Sequence, residues 1–580
     1  MITGITIENF KGIRDRVHLD FRPITLLFGA NSAGKSTILH ALHYAREVFE
    51  RHNLDADETI AGGKYIDLGG FKRLVHRVDD EAMAALDSPI RLRIDLQVSQ
   101  RDLKSFDPDI DGLIARTVAD MSRYKEQLQS AFEDINWLTD YRFDTLLNEI
   151  KSASVELEIG WSTTHACPYV SKNTIYFDDE PFIQLEANEQ MRGVAARFLV
   201  SDPNDHKGTN EVSTLSHKRL KRAGDRFRER GELPLDDRPL LQILQENCGE
   251  LLSFQKNQID LDDLVDALPP LDDALFFSPS MISPTGESEH DFRHAFHINL
   301  STELVRAISQ FVIGPCQLVR DQLKHFRYVG PLRETLPRNY SAPRFPDPAR
   351  WASGLGAWDA LYAGSDELID AVGSWLGDED KLKSGCRIVR RTSINLDYSH
   401  PLVRKMLSGR AFDEVEADWS LAPSQLQSVS RIVVVGDSGI ELHPHDVGIG
   451  ISQVIPVIVT ALDDEERLLA IEQPELHVHP RLQAEIADLF IEAIHKNKHR
   501  FIIETHSEHL ILRLLRRIRE TELNKAPSGR TLRTDDLAIY YLRQEGGASS
   551  AQQIDVDVKG EFIQPWPDDF FEIDFFERFA

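Results

Sequence analysis

At 580 residues, with 41% hydrophobic and 28% charged side chains, the chain has material for two to four packing units of an ordinary globular kind. A formal net charge of −28 excludes a nucleic-acid binder that works by overall attraction, so any DNA or RNA contact needs a local basic patch. No apolar run reaches the roughly eighteen residues of a membrane span, MITGITIENF does not read as a secretory signal, and Cys167, Cys248, Cys316 and Cys386 form no CxxC pair, so a cytoplasmic protein without a disulfide framework is expected.

The segment ITGITIENFKGIRDRVHLDF alternates apolar and polar residues on either side of Lys11-Gly12, which predicts two antiparallel strands. ITLLF, from Ile24 to Phe28, is a short apolar run of the buried-strand kind. It leads into a glycine-containing loop and then a helix, in which Ile38, Ala41, Leu42, Ala45 and Phe49 recur at helical spacing. The loop, Gly29-Ala30-Asn31-Ser32-Ala33-Gly34-Lys35-Ser36-Thr37, satisfies G-x-x-x-x-G-K-[ST] between a strand and a helix, as phosphate binding requires. Its N–H groups and the helix N-terminus hold phosphates, Lys35 reaches the β- and γ-phosphates, and the Ser36 hydroxyl takes a position on Mg²⁺. ATP and Mg²⁺ are therefore the expected ligands, and residues 1–100 the first lobe of an α/β ATPase.

From 101 to 328 the texture changes to a charged, mostly helical insertion with one strand pair near SASVELEIGW. Within it, HKRLKRAGDRFRER carries seven basic residues from Lys218 to Arg230, a candidate nucleic-acid patch or a solvated helix face. Arg513, Arg516, Arg517 and Arg519, further on, read as the polar side of an amphipathic helix.

Residues 329–520 return to alternating strand and helix. In HDVGIGISQVIPVIV, Gly448, Gly450, Ser452 and Gln453 open an apolar helix, a second surface suited to phosphate. RLLAIEQPE ends a strand in Glu472, where an outer anion for Mg²⁺ belongs. The next residue, Gln473, positions water but accepts no proton, so hydrolysis is expected to be slow unless Glu475 substitutes. His506, after the strand RFIIE, is placed to reach the γ-phosphate. The pair His477 and His479 lacks a third ligand and is read as part of a loop that meets a partner subunit. The tail, 521–580, offers strands LAIYYLRQE and AQQIDVDV and an aromatic, acidic end expected to pack on its own chain. Asp555 and Asp557 are taken as members of the second strand.

Together, ENFKGI, GANSAGKST, YVGPLRE, GIGISQVIP, IEQPELHVHP and ETHSEHL resemble the single-chain ABC/SMC-like ATPases related to the overcoming-lysogenization-defect (OLD) group. The tail resembles an uncharacterised C-terminal domain common on such bacterial ATPases, while the insertion resembles nothing nameable. The resemblance implies an α/β P-loop NTPase of the ABC/SMC head type that dimerises around two nucleotides. It also implies Gly450, Ser452 and Gln453 completing the opposite subunit's site, and Gln473 standing where a catalytic glutamate is usual. Relatives occur in anti-phage systems such as Septu, PARIS and retron operons, where the ATPase controls a toxic nuclease. Only about seventy residues follow His506, too few for the Toprim nuclease of OLD proteins, so a separate effector is expected. A DNA-end clamp in repair, and an ATPase with its own nuclease site in the insertion, are the alternatives.

Overall fold

The computed structural model describes residues 1–77, 88–99, 150–191, 194–198, 258–261, 264–272, 309–345, 347–394 and 428–567, with a few isolated positions besides. Two large sheets organise these residues. The first is antiparallel and eight-stranded, in the order β11-β10-β9-β8-β7-β6-β1-β2. It comprises β1 (Ile2–Glu8), β2 (Val17–Asp20), β6 (Ile90–Gln97), β7 (Ser152–Ser162), β8 (Cys167–Phe177), β9 (Glu180–Ala187), β10 (Val194–Phe198) and β11 (Gln258–Leu261). The second has the order β12-β16-β17-β3-β18-β19 and is parallel but for its last strand. It comprises β3 (Ile24–Gly29), β12 (Arg327–Val329), β16 (Leu468–Glu472), β17 (Arg500–Glu504), β18 (Leu537–Glu545) and β19 (Ala548–Gln553). A hairpin, β4 (Glu58–Thr59) with β5 (Gly63–Asp67), and a three-stranded sheet, β13 (Cys386–Ile394), β14 (Ser428–Gly436) and β15 (Glu441–Leu442), complete the strands.

The parallel sheet is buried on both faces, which is why its strands read as continuous apolar runs. Alternate residues go to different layers. Leu27, Ala470, Ile502 and Ala538 join the core shared with α1 (Lys35–Arg51) and the antiparallel sheet. Leu26, Ile471, Ile503 and Ile539 join the core under α4 (Ile449–Ala461), α5 (Pro480–Lys496) and α6 (Glu508–Glu522). Two further helices, α2 (Leu355–Ala363) and α3 (Asp366–Gly377), cover the edge of that second core. No helix among the described residues is long and apolar enough to cross a membrane.

The expected helical insertion differs from what is found. The strand pair expected near SASVELEIGW is present as β7 and β8, but β9 and β10 follow it where helix was expected, and together they extend the sheet begun by β1, β2 and β6, with β6 paired to β7 from Ile90↔Ile159 to Gln97↔Ser152. The burial of β6 alternates strictly along Ile90–Gln97, the period-two signature of a half-covered strand. The helical stretches expected at 102–138 (apart from Asp102) and 240–254, the basic patch from Lys218 to Arg230, and Cys248 lie outside the described residues.

In the tail, LAIYYLRQE is β18 as expected, but the next strand stops at Gln553. Asp557 accepts N–H bonds from Lys559 and Glu561, both at 2.9 Å, and Asp555 bonds Gln564. Neither residue is a member of a strand: the Asp557 carboxylate closes a turn on local backbone donors, and the Asp555 carboxylate accepts from the side-chain amides of Gln553 and Gln564. Phe562 and Trp566 fold back, with Trp566 edge-on to Phe28 of β3 at 5.3 Å, so this part of the aromatic end packs on its own chain. Phe570 and Phe576 lie outside the described residues.

Candidate nucleotide-binding site

Parallel strands end together, so β3, β16 and β17 deliver the Gly29–Ser36 loop, Glu472 and Glu504 to one edge of the sheet. The loop is seated by close packing: a Cβ on Gly29 would lie 2.1 Å from the carbonyl oxygen of Leu542 on β18, at φ 140°, so only glycine fits. Ala33 and Thr37 are buried, whereas Ala30, Asn31 and Ser32 are exposed at the mouth. Buried Lys35 donates to the carbonyls of Gly29 and Ala30, each at 3.0 Å, and lies 3.8 Å from a Glu504 oxygen. The Ser36 hydroxyl donates to the other Glu504 oxygen at 3.0 Å. Burial lowers the Lys35 pKa, opposed by the charges of Glu504 and Glu472.

Glu472 is buried and held from behind by the Tyr328 hydroxyl at 2.9 Å. Burial, then the charge of Glu504, pushes its carboxyl up to about 7. Burial likewise raises the pKa of Glu504. Gln473 turns the chain with a left-handed φ of 44°, a backbone cost of about 1–2 kcal/mol for a non-glycine residue. Two bonds hold that turn: the Gln473 N–H donates to the Glu504 carbonyl at 2.7 Å, and the Gln473 carbonyl accepts from Arg333 at 3.2 Å.

Glu475 uses both oxygens on the loop after β17, accepting from the Thr505 hydroxyl at 2.8 Å and the His506 N–H at 2.7 Å. It fastens that loop to the end of β16. His506 is half-buried beside Lys35, its pKa lowered by burial first and by that lysine second. Its Nε2 is buried without a hydrogen-bond partner, an orphaned polar atom in the site.

The helix α4 carries Gly450, Ser452 and Gln453, and no hydrogen bond joins residues 448–453 to the Gly29–Thr37 loop among the described residues. Ser452 is buried and donates to the Ile449 carbonyl at 2.9 Å. Gln453 is buried and exchanges hydrogen bonds with the main chain of Arg333. Gly450 lies so close to the ELHVHP loop that a Cβ would meet the His477 carbonyl at 2.7 Å. His477 and His479 are themselves exposed, and the His479 ring caps α5 by accepting from the Arg481 N–H.

Sequence reasoning missed three residues that the tertiary structure puts here. Glu504 ends its strand as Glu472 does, and that likeness in RFIIE was the available signal. Arg333 donates to the carbonyl of Glu472 at 2.6 Å and reaches Gln453 as well, tying α4 to the end of β16. Burial lowers its pKa to about 10. Ser549 of β19 bonds the Gly12 carbonyl through its N–H and sits against Gly34.

The donor set fits a divalent cation that keeps nucleotide phosphates as its other ligands. Ser36, Glu472 and Glu504 offer hard oxygen atoms of the kind Mg²⁺ prefers, and they lie beside the loop that takes the phosphates. Among the described residues no group of three or more His, Cys, Asp or Glu forms a metal site complete without a ligand.

Fold and site together define a P-loop ATPase of the α/β, ABC/SMC head type. The strand carrying the loop lies beside β17, which separates it from the carboxylate strand β16; β16 passes to β17 through α5, and β17 to β18 through α6. The chain belongs to the AAA ATPase domain family, whose model matches residues 1–220 and 393–511, more than half of its length. It therefore binds nucleotide with a divalent metal and hydrolyses ATP.

Three solved structures resemble the chain at low scores. They are the SmcHead bound to the C-winged helix domain of ScpA (9% identity, TM-score 0.34, covering 96% of this chain and 98% of that one), the SMC head domain from Thermotoga maritima (8%, 0.32, 96% and 99%), and the recombination mediator protein RecF-ATPrS in the RecFOR pathway (10%, 0.27, 95% and 98%). A comparison with curated proteins gave no match.

Proposed function

We propose that this chain is a cytoplasmic, Mg²⁺-dependent ATPase that closes head to head with a second copy and serves as a nucleotide-gated scaffold for a separate nuclease, in the manner of OLD-related anti-phage ATPases. The observation that carries the dimer is the start of α4. Gly448 is exposed with nothing within 4 Å of its would-be Cβ, and Ile449 is 57% exposed. The first turn of the helix thus presents free N–H groups and an apolar side chain, and its own P-loop makes no use of them. A γ-phosphate held by a second copy would complete them.

Gly448→Arg tests this closure. The backbone there (φ −55°, ψ 140°) accepts any residue, so the variant is expected to fold normally and to bind ATP at its own P-loop. It is expected to stay monomeric by light scattering with Mg²⁺ and a slowly hydrolysed ATP analogue, where the unaltered chain dimerises. A dimer indifferent to both nucleotide and Gly448→Arg would place assembly on another surface.

Gln473, read as the water-orienting residue, supports slow turnover, below the roughly 1–10³ s⁻¹ of ordinary enzymes. Gln473→Glu is expected to raise steady-state phosphate release at least tenfold, and an unchanged slow rate would remove this residue from that role. The separate effector rests on subtraction, since the carboxylates near the P-loop are committed to the nucleotide. Cleavage of plasmid DNA by the purified chain, surviving Lys35→Ala, would show a nuclease within it.

A further inference from the structure

We propose that Glu504 is a second carboxylate ligand of the divalent cation, acting with Ser36 beside Glu472 and not merely as a counter-ion for Lys35. The inference rests on the nucleotide-site reading and adds a residue to it.

Three observations converge on this assignment. Glu472 and Glu504 are register partners at the ends of adjacent parallel strands, so their Cα atoms stand about 5 Å apart and both side chains leave the same sheet edge. Both are buried, at 8% and 6% exposure, so neither charge is dissipated in solvent. The Ser36 hydroxyl, which takes the cation in a P-loop, donates to Glu504 at 3.0 Å, whereas the Glu472 carboxylate is bonded to Tyr328. Of the two carboxylates, Glu504 is thus the one already in contact with a cation ligand.

Charge counting points the same way. Two buried carboxylates face Lys35, and the Arg333 guanidinium donates to main-chain carbonyls. A polyphosphate entering this edge brings more negative charge against Glu472 and Glu504. A divalent cation between phosphate and carboxylates relieves both repulsions, and a lone lysine does not.

Mn²⁺ serves as the probe, followed by electron paramagnetic resonance in the full chain with a slowly hydrolysed ATP analogue. Glu504→Gln keeps an acceptor for Ser36 and removes the charge. It is expected to weaken Mn²⁺ binding at least tenfold, while analogue affinity in EDTA stays equal or rises because a repelling charge is gone. Glu504→Asp, one methylene shorter, is expected to fall between the two and supplies the same comparison if the glutamine variant does not fold. Mn²⁺ affinity in Glu504→Gln equal to that of the unaltered chain would overturn the proposal and leave Glu504 as the lysine's counter-ion. A parallel tenfold loss of analogue binding in EDTA would also overturn it, since it would mark a purely structural role. Failure of the unaltered chain to bind Mn²⁺ with the analogue would instead sink the nucleotide-site reading itself.

Discussion

Lys35→Ala is expected to weaken ATP binding by about 10- to 150-fold, the equivalent of roughly 1.5–3 kcal/mol for a charge-assisted contact to phosphate. The lysine is buried at the sheet edge, with its ammonium bonded to the Gly29 and Ala30 carbonyls and 3.8 Å from Glu504. Truncation removes the cation that meets the phosphates and leaves Glu504 without its nearest positive charge, so both changes oppose the nucleotide. Isothermal titration measures the loss directly, with the folded state checked by thermal unfolding of the ligand-free chain. An unchanged affinity would mean that the phosphates bind elsewhere.

Asp488→Ala is expected to destabilise the fold by about 3–5 kcal/mol, the cost of breaking a buried ion-pair network by removing one member. Asp488 is fully buried on α5 and accepts from Arg517 at 2.6 and 2.7 Å, from Arg513 at 2.6 Å and from Arg530 at 3.3 Å. Glu485, Glu520 and Glu492 share the same arginines at the margin, so the network loses its centre but not all of its charge balance. Docking of α6 itself comes from Leu510, Ile511, Leu514 and Leu515, at about 1.5–3 kcal/mol for each buried side chain. The ion pairs add direction: they fix how α6 lies on α5, and with it the loop at His506 immediately before. Urea denaturation reads the change, and a loss under about 1 kcal/mol would show that the apolar contacts alone decide the packing. In the same network Arg513, Arg516 and Arg517 are each paired with an acidic side chain on α5 or α6, as the polar side of an amphipathic helix.

Much of the α/β layout was legible because it depends on local pattern. The buried runs at Ile24–Phe28, Leu468–Ile471 and Phe501–Ile503 announce parallel strands by lacking alternation, and the P-loop pattern fixes which strand carries the phosphates. Glu472, Gln473 and His506 were singled out because each stands at the end of such a run, and a strand's C-terminal edge is where an α/β sheet places its chemistry. Of the antiparallel extension from Ser152 to Phe198, the strand pair at SASVELEIGW was legible by its alternation, whereas β9 and β10 went unread between flanking charged stretches whose helical look dominated the region. Asp555 and Asp557 were misread because a two-residue spacing looks like a strand until the local turn bonds are seen.

The sequence by itself determined the class of chemistry: a glycine-rich loop, a lysine and a hydroxyl at fixed spacing suffice, since their geometry is set within one strand–loop–helix unit. It also determined which strands are buried, since hydrophobic periodicity is a property of neighbours along the chain. Only the tertiary structure decided that Glu504 stands beside Glu472 against Ser36, that Glu475 is spent on the Thr505–His506 loop, and that Arg333 joins α4 to β16. Those pairings link residues 30 to 468 positions apart in the chain. They follow from strand order and register, which depend on how separate apolar faces share two common cores and which no local pattern encodes.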